Sequence, residues 1–290
     1  MHAIRLIRPA PQLREYVRYY AERRVRVHDA VVVHSAPARA ASVLEFIFGD
    51  PIRVLVLEKS LEVPSPRAVV VGMQTCCNVQ LQLQGTLECF VILFQPTGLH
   101  RLFSIPMQEL TDRNYEAHSV LGPIVSRLEQ HLGECTTFEE RVRIADEFLS
   151  RRALYVGGLD GISAAASQIL LGGGSTPIAS LAGSVGLGVR QFERNFLQHV
   201  GMRPKLFARI ARFEAALDGK ARSNTKSWTD VAHEFGYYDQ MHMVHDFSEF
   251  TGGTPTNTLN QIETLFGEQI KAMRSGGLSA NANGNTRLIL

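Results

Sequence analysis

The apolar positions between residues 176 and 259 follow one pattern that occurs twice. The first copy begins at Ile178 and reads IASLAGSVGL; the second begins at Trp228, 50 residues further on, and reads WTDVAHEFGY. In both copies apolar side chains recur at i, i+3, i+4 and i+7, the period of a helix with one buried face. A glycine, Gly186 or Gly236, then follows, and it favours a turn with positive φ. The duplicated pattern predicts two compact helical units.

A second helix is predicted after each glycine, because another apolar pair follows at one-turn spacing. The pairs are Phe192 with Phe196, and Met243 with Phe247. Helix, short glycine-containing turn and helix together predict a helix-turn-helix unit. The hydroxyl and proline of Ser175-Thr176-Pro177 are expected to begin the first unit, and Asp239 is expected to cap the last helix.

One helix is predicted to join the two units, from Pro204 to about Asp218. At about 1.5 Å per residue this helix spans roughly 22 Å. With the width of each unit added, the two second helices are expected to lie about one DNA turn, roughly 34 Å, apart.

The first half of the chain shows a different period. Leu13, Tyr16, Val17 and Tyr20 have helical spacing, so a helix is predicted over Pro11 to Tyr20. Short β-rich runs follow at 31–33, 43–48, 52–57, 68–71, 79–83 and 87–94. Gly49-Asp50-Pro51 and Gly85-Thr86 are interpreted as turns between strands. These runs predict a small antiparallel β-barrel or sandwich, a fold that can hold one small ligand.

Past Pro96 the apolar spacing becomes helical again. It predicts a short helix around Leu99 to Phe103, a helical hairpin over 120–132 and 138–149, and a linker over 151–160. A helix around Ile162 to Ile169 then opens the second half. After Pro255 a last amphipathic helix is expected, followed by a disordered tail over 275–290. The predicted fold class is α+β, with domains at 1–155 and 160–260 and a terminal segment at 261–290.

Composition limits the class of protein. The chain has 290 residues, 45% hydrophobic and 20% charged, which predicts about two globular domains. No apolar run approaches the roughly 20 residues of a membrane helix, and the first residues lack the apolar stretch of a signal peptide. The four cysteines have no C-x-x-C spacing, so a reducing cytoplasm is expected and no membrane. The Cys76-Cys77 pair is interpreted as small buried hydrophobes rather than an oxidant sensor.

Charge is unevenly distributed although the whole chain carries only +2. From Gly186 to Arg212 there are six basic residues and one acidic residue, which suggests a phosphate-binding surface. From Trp228 to Phe250 there are five acidic residues and no Lys or Arg. The second unit is therefore expected to contact DNA weakly, or through helix N-termini and neutral side chains.

No cofactor, metal or catalytic constellation is predicted. His28, His34 and Glu45 lie in the β-rich region, but the two histidines are six residues apart, and no H-x-H pair points two ligands to one strand face. The sequence also lacks G-x-S-x-G, H-E-x-x-H, a P-loop and G-x-G-x-x-G.

Two segments resemble the DNA-binding domain of AraC/XylS-type regulators. They are 186–196 followed by Gly201-Met202-Arg203-Pro204, and 239–247 followed by Phe250-Thr251-Gly252-Gly253-Thr254-Pro255. In that family both second helices enter successive major grooves of double-stranded DNA. Carried over by position, the resemblance implies base-facing side chains at Arg190, Glu193, Arg194, Gln240, Met241 and His245.

The resemblance also implies a cupin-like N-terminal domain, a small-molecule effector, a homodimer formed by the helical hairpin, and contact with RNA polymerase by an activator. The expected function is an effector-responsive transcription activator that binds a specific DNA sequence. Two alternatives remain open at this point: a cytosolic cupin-like ligand-binding protein or enzyme, and a protein–protein interaction module supported by the acidic second unit.

Overall fold

Antiparallel strands fill most of the first 116 residues of the computed structural model, which describes residues 2–223 and 225–263. The strands are β1 His2–Ile7, β2 Val17–Ala36, β3 Val43–Ile47, β4 Arg53–Val56, β5 Leu61–Pro64, β6 Ala68–Val71, β7 Val79–Phe94 and β8 Asn114–Glu116. The sheet order is β1-β2-β7-β3-β6-β8, and β4 pairs with β5 and β7. Because β1 and β8 stay at the edges of this described sheet, the predicted antiparallel domain is confirmed but its sheet is open rather than closed.

Strand β7 organises the sheet and corrects the sequence analysis. Two strands and a turn at Gly85-Thr86 were expected, but β7 is one strand of 16 residues. One edge of β7 pairs with β2, while its other edge pairs with β4 near Gln80 and with β3 near Val91. Gly85 has a φ of +76°, and a Cβ there would lie 2.3 Å from Oδ2 of Asp50. The glycine therefore permits a kink within the strand and does not mark its end.

The helix predicted over Pro11 to Tyr20 is wrong. Residues Pro11–Leu13 form a single 3-10 turn, and β2 begins at Val17. Tyr16, Val17, Tyr20 and Ala21 are all buried, so this stretch lacks the polar–apolar alternation of a strand with one wet face. The helical spacing of the apolar residues was therefore coincidental.

Ten α-helices make up most of the remaining described chain. They are α1 Gly98–Phe103, α2 Ala117–Leu121, α3 Ile124–Glu134, α4 Phe138–Ala153, α5 Gly161–Leu171, α6 Ile178–Ser184, α7 Val189–Val200, α8 Pro204–Arg222, α9 Trp228–Glu234 and α10 Gln240–Thr251. The predicted helix over 120–132 is divided at Gly122 and Pro123, and the joining helix α8 extends four residues past Asp218. The predicted hydroxyl cap of α6 is wrong, since Pro177 occupies the cap position without a side-chain hydrogen bond.

Phenylalanine rings on α8 form the centre of the helical half. Phe207 packs against Phe196 of α7 with ring centroids 5.4 Å apart, and Phe213 packs against Phe247 of α10 at 4.8 Å. All four side chains are fully buried. One helix therefore provides the apolar wall for both helix-turn-helix units.

The β-rich half touches both units. Gly201, which follows α7, has a φ of +101°, and a Cβ there would lie 2.7 Å from Oγ1 of Thr111. The Thr111 hydroxyl donates to the Gly201 carbonyl at 2.6 Å. The Ala38 amide donates to the Phe250 carbonyl of α10 at 2.8 Å. The ends of α7 and α10 are thus held by the N-terminal half.

Some predictions lie outside the described residues. Residues 255–263 are helical, but the rest of the predicted terminal helix and the predicted tail fall within 264–290. Across the described segments, no helix has both the length and the apolar character that crossing a bilayer requires.

Replacing Phe196 with alanine should destabilise the protein. The side chain is completely buried between Phe192 and Phe207, so its loss leaves a cavity, and we expect about 3–5 kcal/mol less free energy of unfolding. Thermal or urea unfolding measures this change. Tyr155→Ala, whose ring is 91% exposed, is the control and should change little. Equal unfolding midpoints for the two variants would contradict the packing described here.

His34 should make stability depend on pH. Burial, and next the charge of Arg23, lowers the pKa of His34 from 6.5 to about 4. The unfolded chain therefore binds a proton more readily than the folded chain, and the free energy of unfolding should fall as pH drops from about 6.5 to about 4. The full effect is on the order of 3 kcal/mol.

Urea unfolding at several pH values, with His34→Gln beside His118→Gln, tests this dependence. His118 is exposed, so its variant should retain the acid-side loss, whereas His34→Gln should show a shallower one. An identical pH slope in both variants would show that His34 does not carry the effect.

Candidate functional site

The first helix-turn-helix unit consists of α6, a four-residue turn and α7. Gly186 lies in this turn with a φ of +69°, and nothing lies within 4 Å of a Cβ built there. Glycine is thus favoured by backbone conformation and not by crowding. Leu181 and Ala182 of α6 and Phe192 of α7 are buried together. The predicted turn and buried face are confirmed.

The opposite face of α7 is exposed and carries the predicted base-facing residues. Arg190, Glu193 and Arg194 are all exposed, and all lie in the first half of α7. Nη2 of Arg194 donates to Oε1 of Gln191 at 2.6 Å, a contact within the helix surface. These three side chains therefore lie together on an exposed face of α7.

The basic residues of this region divide into two groups, which corrects the charge expected from sequence. Arg190, Arg194, Arg203 and Lys205 are exposed. Arg209 instead donates to Asp246 and Glu249, both at 2.6 Å. Arg212 donates to the carbonyl of Gly174 at 3.3 Å. Four cations, and not six, are therefore presented at the surface of the first unit.

The second unit, α9, a five-residue turn and α10, presents mostly neutral side chains. Gln240, Met241 and His245 are exposed on α10, with Met241 72% exposed. Oε1 of Gln240 accepts a hydrogen bond from the Thr229 hydroxyl of α9 at 2.7 Å. The Asp239 carboxylate accepts from the His242 amide at 2.7 Å, so the predicted cap of α10 is confirmed.

The acidic residues of the second unit are engaged within the fold. Asp246 is completely buried and pairs with Arg209, which also binds Glu249. Glu234 pairs with Lys226 at 2.6 Å. Asp230 accepts from Ser227 in a capping box at the start of α9, and Asp239 caps α10. The negative balance counted along the sequence is therefore reduced by two cations, and the other carboxylates are used in capping. Sequence reasoning missed the Arg209–Asp246 pair because its partners are 37 residues apart.

His245, Asp246 and Glu249 form one group with the composition of a metal site. Their ligand atoms lie within 4.8 Å of one another. Arg209 hydrogen-bonds both carboxylates, and its positive charge occupies the place a cation would take. In the β-rich half, His34 is buried and neutral at pH 7 because its pKa is low, while the side chain of His28 is not among the parts that the structure describes.

A cavity of about 100 Å³ lies within the β-rich half. Its wall combines apolar side chains of β3, β4, β6 and β7 with polar groups, chief among them Arg23, His34, Arg39 and Glu45. Burial, and next the charge of Arg23, lowers the pKa of Arg39 to about 10. About 10–15 Å³ suffices for one water molecule, so the cavity has room for a small organic molecule. Sequence reasoning predicted that such a fold can hold a ligand but did not identify these residues.

The segment beside this cavity reaches the helical half. Ala38 and Ala40 flank Arg39, and both are part of the core that contains α5 to α10. The Ala40 amide donates to Oε1 of Glu214 on α8 at 2.8 Å. The cavity wall and the joining helix are therefore connected by one short loop.

Two known families match this chain. A family described as a helix-turn-helix domain matches residues 181–261, and a family described as a domain of unknown function (DUF6597) matches residues 5–116. A search of curated proteins found no significant match.

Solved structures with a similar arrangement include ToxT from Vibrio cholerae O395, with 10% identity and a TM-score of 0.48 over 83% of this chain and 97% of that chain. ToxT of V. cholerae strain SCE256 with a bound unsaturated fatty acid gives 12% identity and a TM-score of 0.47 over 83% and 94%. The AraC-like transcriptional activator CuxR gives 11% identity and a TM-score of 0.24 over 74% and 86%.

The family match covers both helix-turn-helix units, from Leu181 in α6 to residue 261 beyond α10. The two units, the glycine turns and the joining helix occur in the order that the sequence resemblance implied. The chain therefore carries, in its C-terminal region, a helix-turn-helix DNA-binding domain of the AraC type.

Proposed function

We propose that this protein is an effector-responsive transcription activator that reads two successive major grooves through α7 and α10. The observation that carries the proposal is the exposed pair Arg190 and Arg194, which lies on α7 opposite the buried Phe192 and Phe196. A helix-turn-helix protein places the N-terminal part of its second helix against base edges. Both arginines lie in that part of α7.

The two helices would read DNA by different chemistry. Arginine binds guanine O6 and N7 through two hydrogen bonds, which suits Arg190 and Arg194, and Glu193 can accept from cytosine N4. On α10, Gln240 can bind adenine once it releases Thr229, and the exposed Met241 can contact a thymine methyl group. His245 would complete the base-facing surface of α10.

The length of the joining helix α8 supports the proposed spacing of α7 and α10. Helix α8 has 19 residues, which corresponds to about 28 Å at 1.5 Å per residue. With the widths of α7 and α10 added, this length is compatible with the roughly 34 Å between successive major grooves on one face of DNA.

The N-terminal half is proposed to hold the effector and to form a homodimer. The cavity beside Arg39 supports the first role, because its loop contacts Glu214 of α8 and connects ligand binding to the DNA-binding units. We assign residues 1–155 to sensing and 160–260 to DNA binding. The dimer, the contact with RNA polymerase and the activating sign rest on the family resemblance. The cytoplasmic location rests on the spacing of the cysteines.

The alternative of a protein interaction module is weakened by the ion pairs of the second unit. That alternative rested on the acidic balance of the second unit, and the carboxylates of Asp246, Glu249 and Glu234 are bound by Arg209 and Lys226. The DNA-binding proposal therefore accounts for both units with one function.

Arg194→Ala should weaken binding to the specific site by about 1–3 kcal/mol and leave thermal stability unchanged, because the side chain is exposed. The site is first selected from random DNA with the unmodified protein, and affinity is measured by fluorescence anisotropy. Arg53→Ala, an exposed arginine on β4, is the matched control. Equal affinities for the two variants would show that Arg194 does not read bases.

Salt dependence should report the exposed cations of the first unit that are not assigned to bases. If Arg203 and Lys205 each neutralise a phosphate while Arg190 and Arg194 read bases, log K should fall with log salt with a slope of roughly −2. Arg203→Gln should reduce the slope by about 0.9 and weaken specific and unrelated DNA alike. A slope near zero for the unmodified protein would refute DNA binding through these residues.

A further inference from the structure

A second concave site lies outside the cavity and away from the exposed arginines of α7. This arginine pocket has a volume of about 240 Å³ and lies between the start of β2 and helix α5. Three arginines share its wall with polar and apolar neighbours. The lining residues are Arg8, Pro9, Arg14, Val17, Arg18, Tyr19, Gln95, Ser167, Leu170 and Leu171.

Local structure fixes where these arginines lie. The Ala10 amide donates to both oxygens of Asp146, at 3.1 and 3.2 Å, which anchors the chain just after Arg8. Nε2 of Gln95 donates to the Arg14 carbonyl at 2.9 Å and anchors the other end of the 3-10 turn. The turn between them lets Arg8 and Arg14 line one pocket.

The third arginine is placed by an irregularity in the sheet. The pairing of β2 with β7 shifts register between Val17 and Tyr19, so Arg18 lies at a β-bulge. A bulge changes the direction of a side chain relative to its neighbours, and bulges are frequent next to functional sites. Arg18 is accordingly part of the same wall as Arg8 and Arg14.

The opposite wall belongs to the DNA-binding half. Ser167, Leu170 and Leu171 lie on α5, at positions separated by three and four residues, so they share one helix face. Leu171 is 72% exposed although it is apolar. The pocket thus combines a cationic wall, a hydroxyl group and an apolar surface that a bound molecule would cover.

The charge of this pocket is one-sided. None of the described lining residues is acidic. Two acids of this region bind other groups, since Glu15 pairs with Arg101 at 2.9 Å and Asp146 binds Ala10 and Tyr20. Among the described residues, no carboxylate oxygen lies within 4 Å of the guanidinium nitrogens of Arg8 or Arg14. The guanidinium groups of Arg8 and Arg14 beside one pocket favour an anion of more than one charge.

We propose that the arginine pocket binds a small phosphorylated molecule, its phosphate against Arg8, Arg14 and Arg18 and its organic part against Leu170 and Leu171. Arginine matches the planar arrangement of phosphate oxygens through paired hydrogen bonds. A phosphate monoester or diphosphate supplies the two or more charges that Arg8 and Arg14 balance, whereas a carboxylate supplies one. Ser167 and Gln95 offer further polar contacts.

Such a ligand would touch both halves of the chain. Arg8 to Arg18 belong to the β-rich half, while Ser167 to Leu171 belong to α5, whose packing against α7 and α8 is part of the common core. The proposal goes beyond DNA recognition and does not depend on it, because phosphate binding here can be measured without DNA.

Binding is tested on the full chain by isothermal titration with inorganic diphosphate, ADP, adenosine and octanoate. We expect diphosphate and ADP to bind, ADP more tightly because adenosine adds contact with the apolar wall, and adenosine and octanoate not to bind. The variant R8Q/R14Q should weaken ADP at least about tenfold. The control R26Q/R53Q removes two exposed arginines of β2 and β4, outside the pocket, and should bind as the unmodified protein does.

Each other outcome overturns the proposal. Failure of both diphosphate and ADP to bind, or equal loss in the two double variants, would exclude a phosphate site in this pocket. Tighter binding of octanoate than of diphosphate would assign the pocket to carboxylates. Weaker DNA binding by R8Q/R14Q with no ADP binding to the unmodified protein would place these arginines on the DNA backbone. Melting curves of both variants confirm that each is folded.

Discussion

Burial of aromatic side chains against α8 is the interaction on which the DNA-binding half depends. Helices α6 and α9 have only seven residues each, far fewer than the roughly 12–15 residues at which an isolated helix becomes even marginally stable. Their direction is therefore set by packing, not by local propensity. Because Phe207 and Phe213 of α8 contact α7 and α10 respectively, the two second helices are oriented by one common element. This core therefore fixes the positions of the exposed arginines of α7 and of the exposed residues of α10.

The charges of the two helix-turn-helix units differ between the sequence and the folded structure. Along the sequence, the first unit is strongly basic and the second strongly acidic. In the fold, Arg209 leaves the basic group and pairs with Asp246 and Glu249 of the acidic one. The buried Asp246 also gives this pair a structural role, since removing one partner would leave the other charge unpaired. The two units therefore differ less in surface charge than their compositions suggest, and the second can approach DNA with caps and neutral side chains.

The sequence predicted the helical half well and the β-rich half less well, for physical reasons. Helical periodicity, Gly186, Gly236 and the Asp239 cap act within a few residues, so the units, turns and buried faces follow from local patterns. The β-rich half depends on distant pairings. Strand β7 is continuous across Gly85 because β4 and β3 pair with different parts of it, which no local pattern records. Because the start of β2 is buried, the apolar residues around Tyr16 had helical spacing without forming a helix. The arginines of the pocket are brought together by a bulge and a turn, which the sequence pattern does not show.

The contacts between the halves suggest how ligand binding could affect DNA recognition. The β-rich half holds Gly201 at the end of α7, Phe250 near the end of α10, and Glu214 on α8. The proposed base-facing residues, among them Arg190 and Gln240, lie at the opposite, N-terminal ends of the two helices. A displacement of the loop at Arg39 would therefore act on the relative orientation of α7 and α10 without touching the groups that meet the bases. In the proposed mode of binding, α7 and α10 fit successive grooves only at one spacing and direction, so a small rotation transmitted through these buried ends would change affinity.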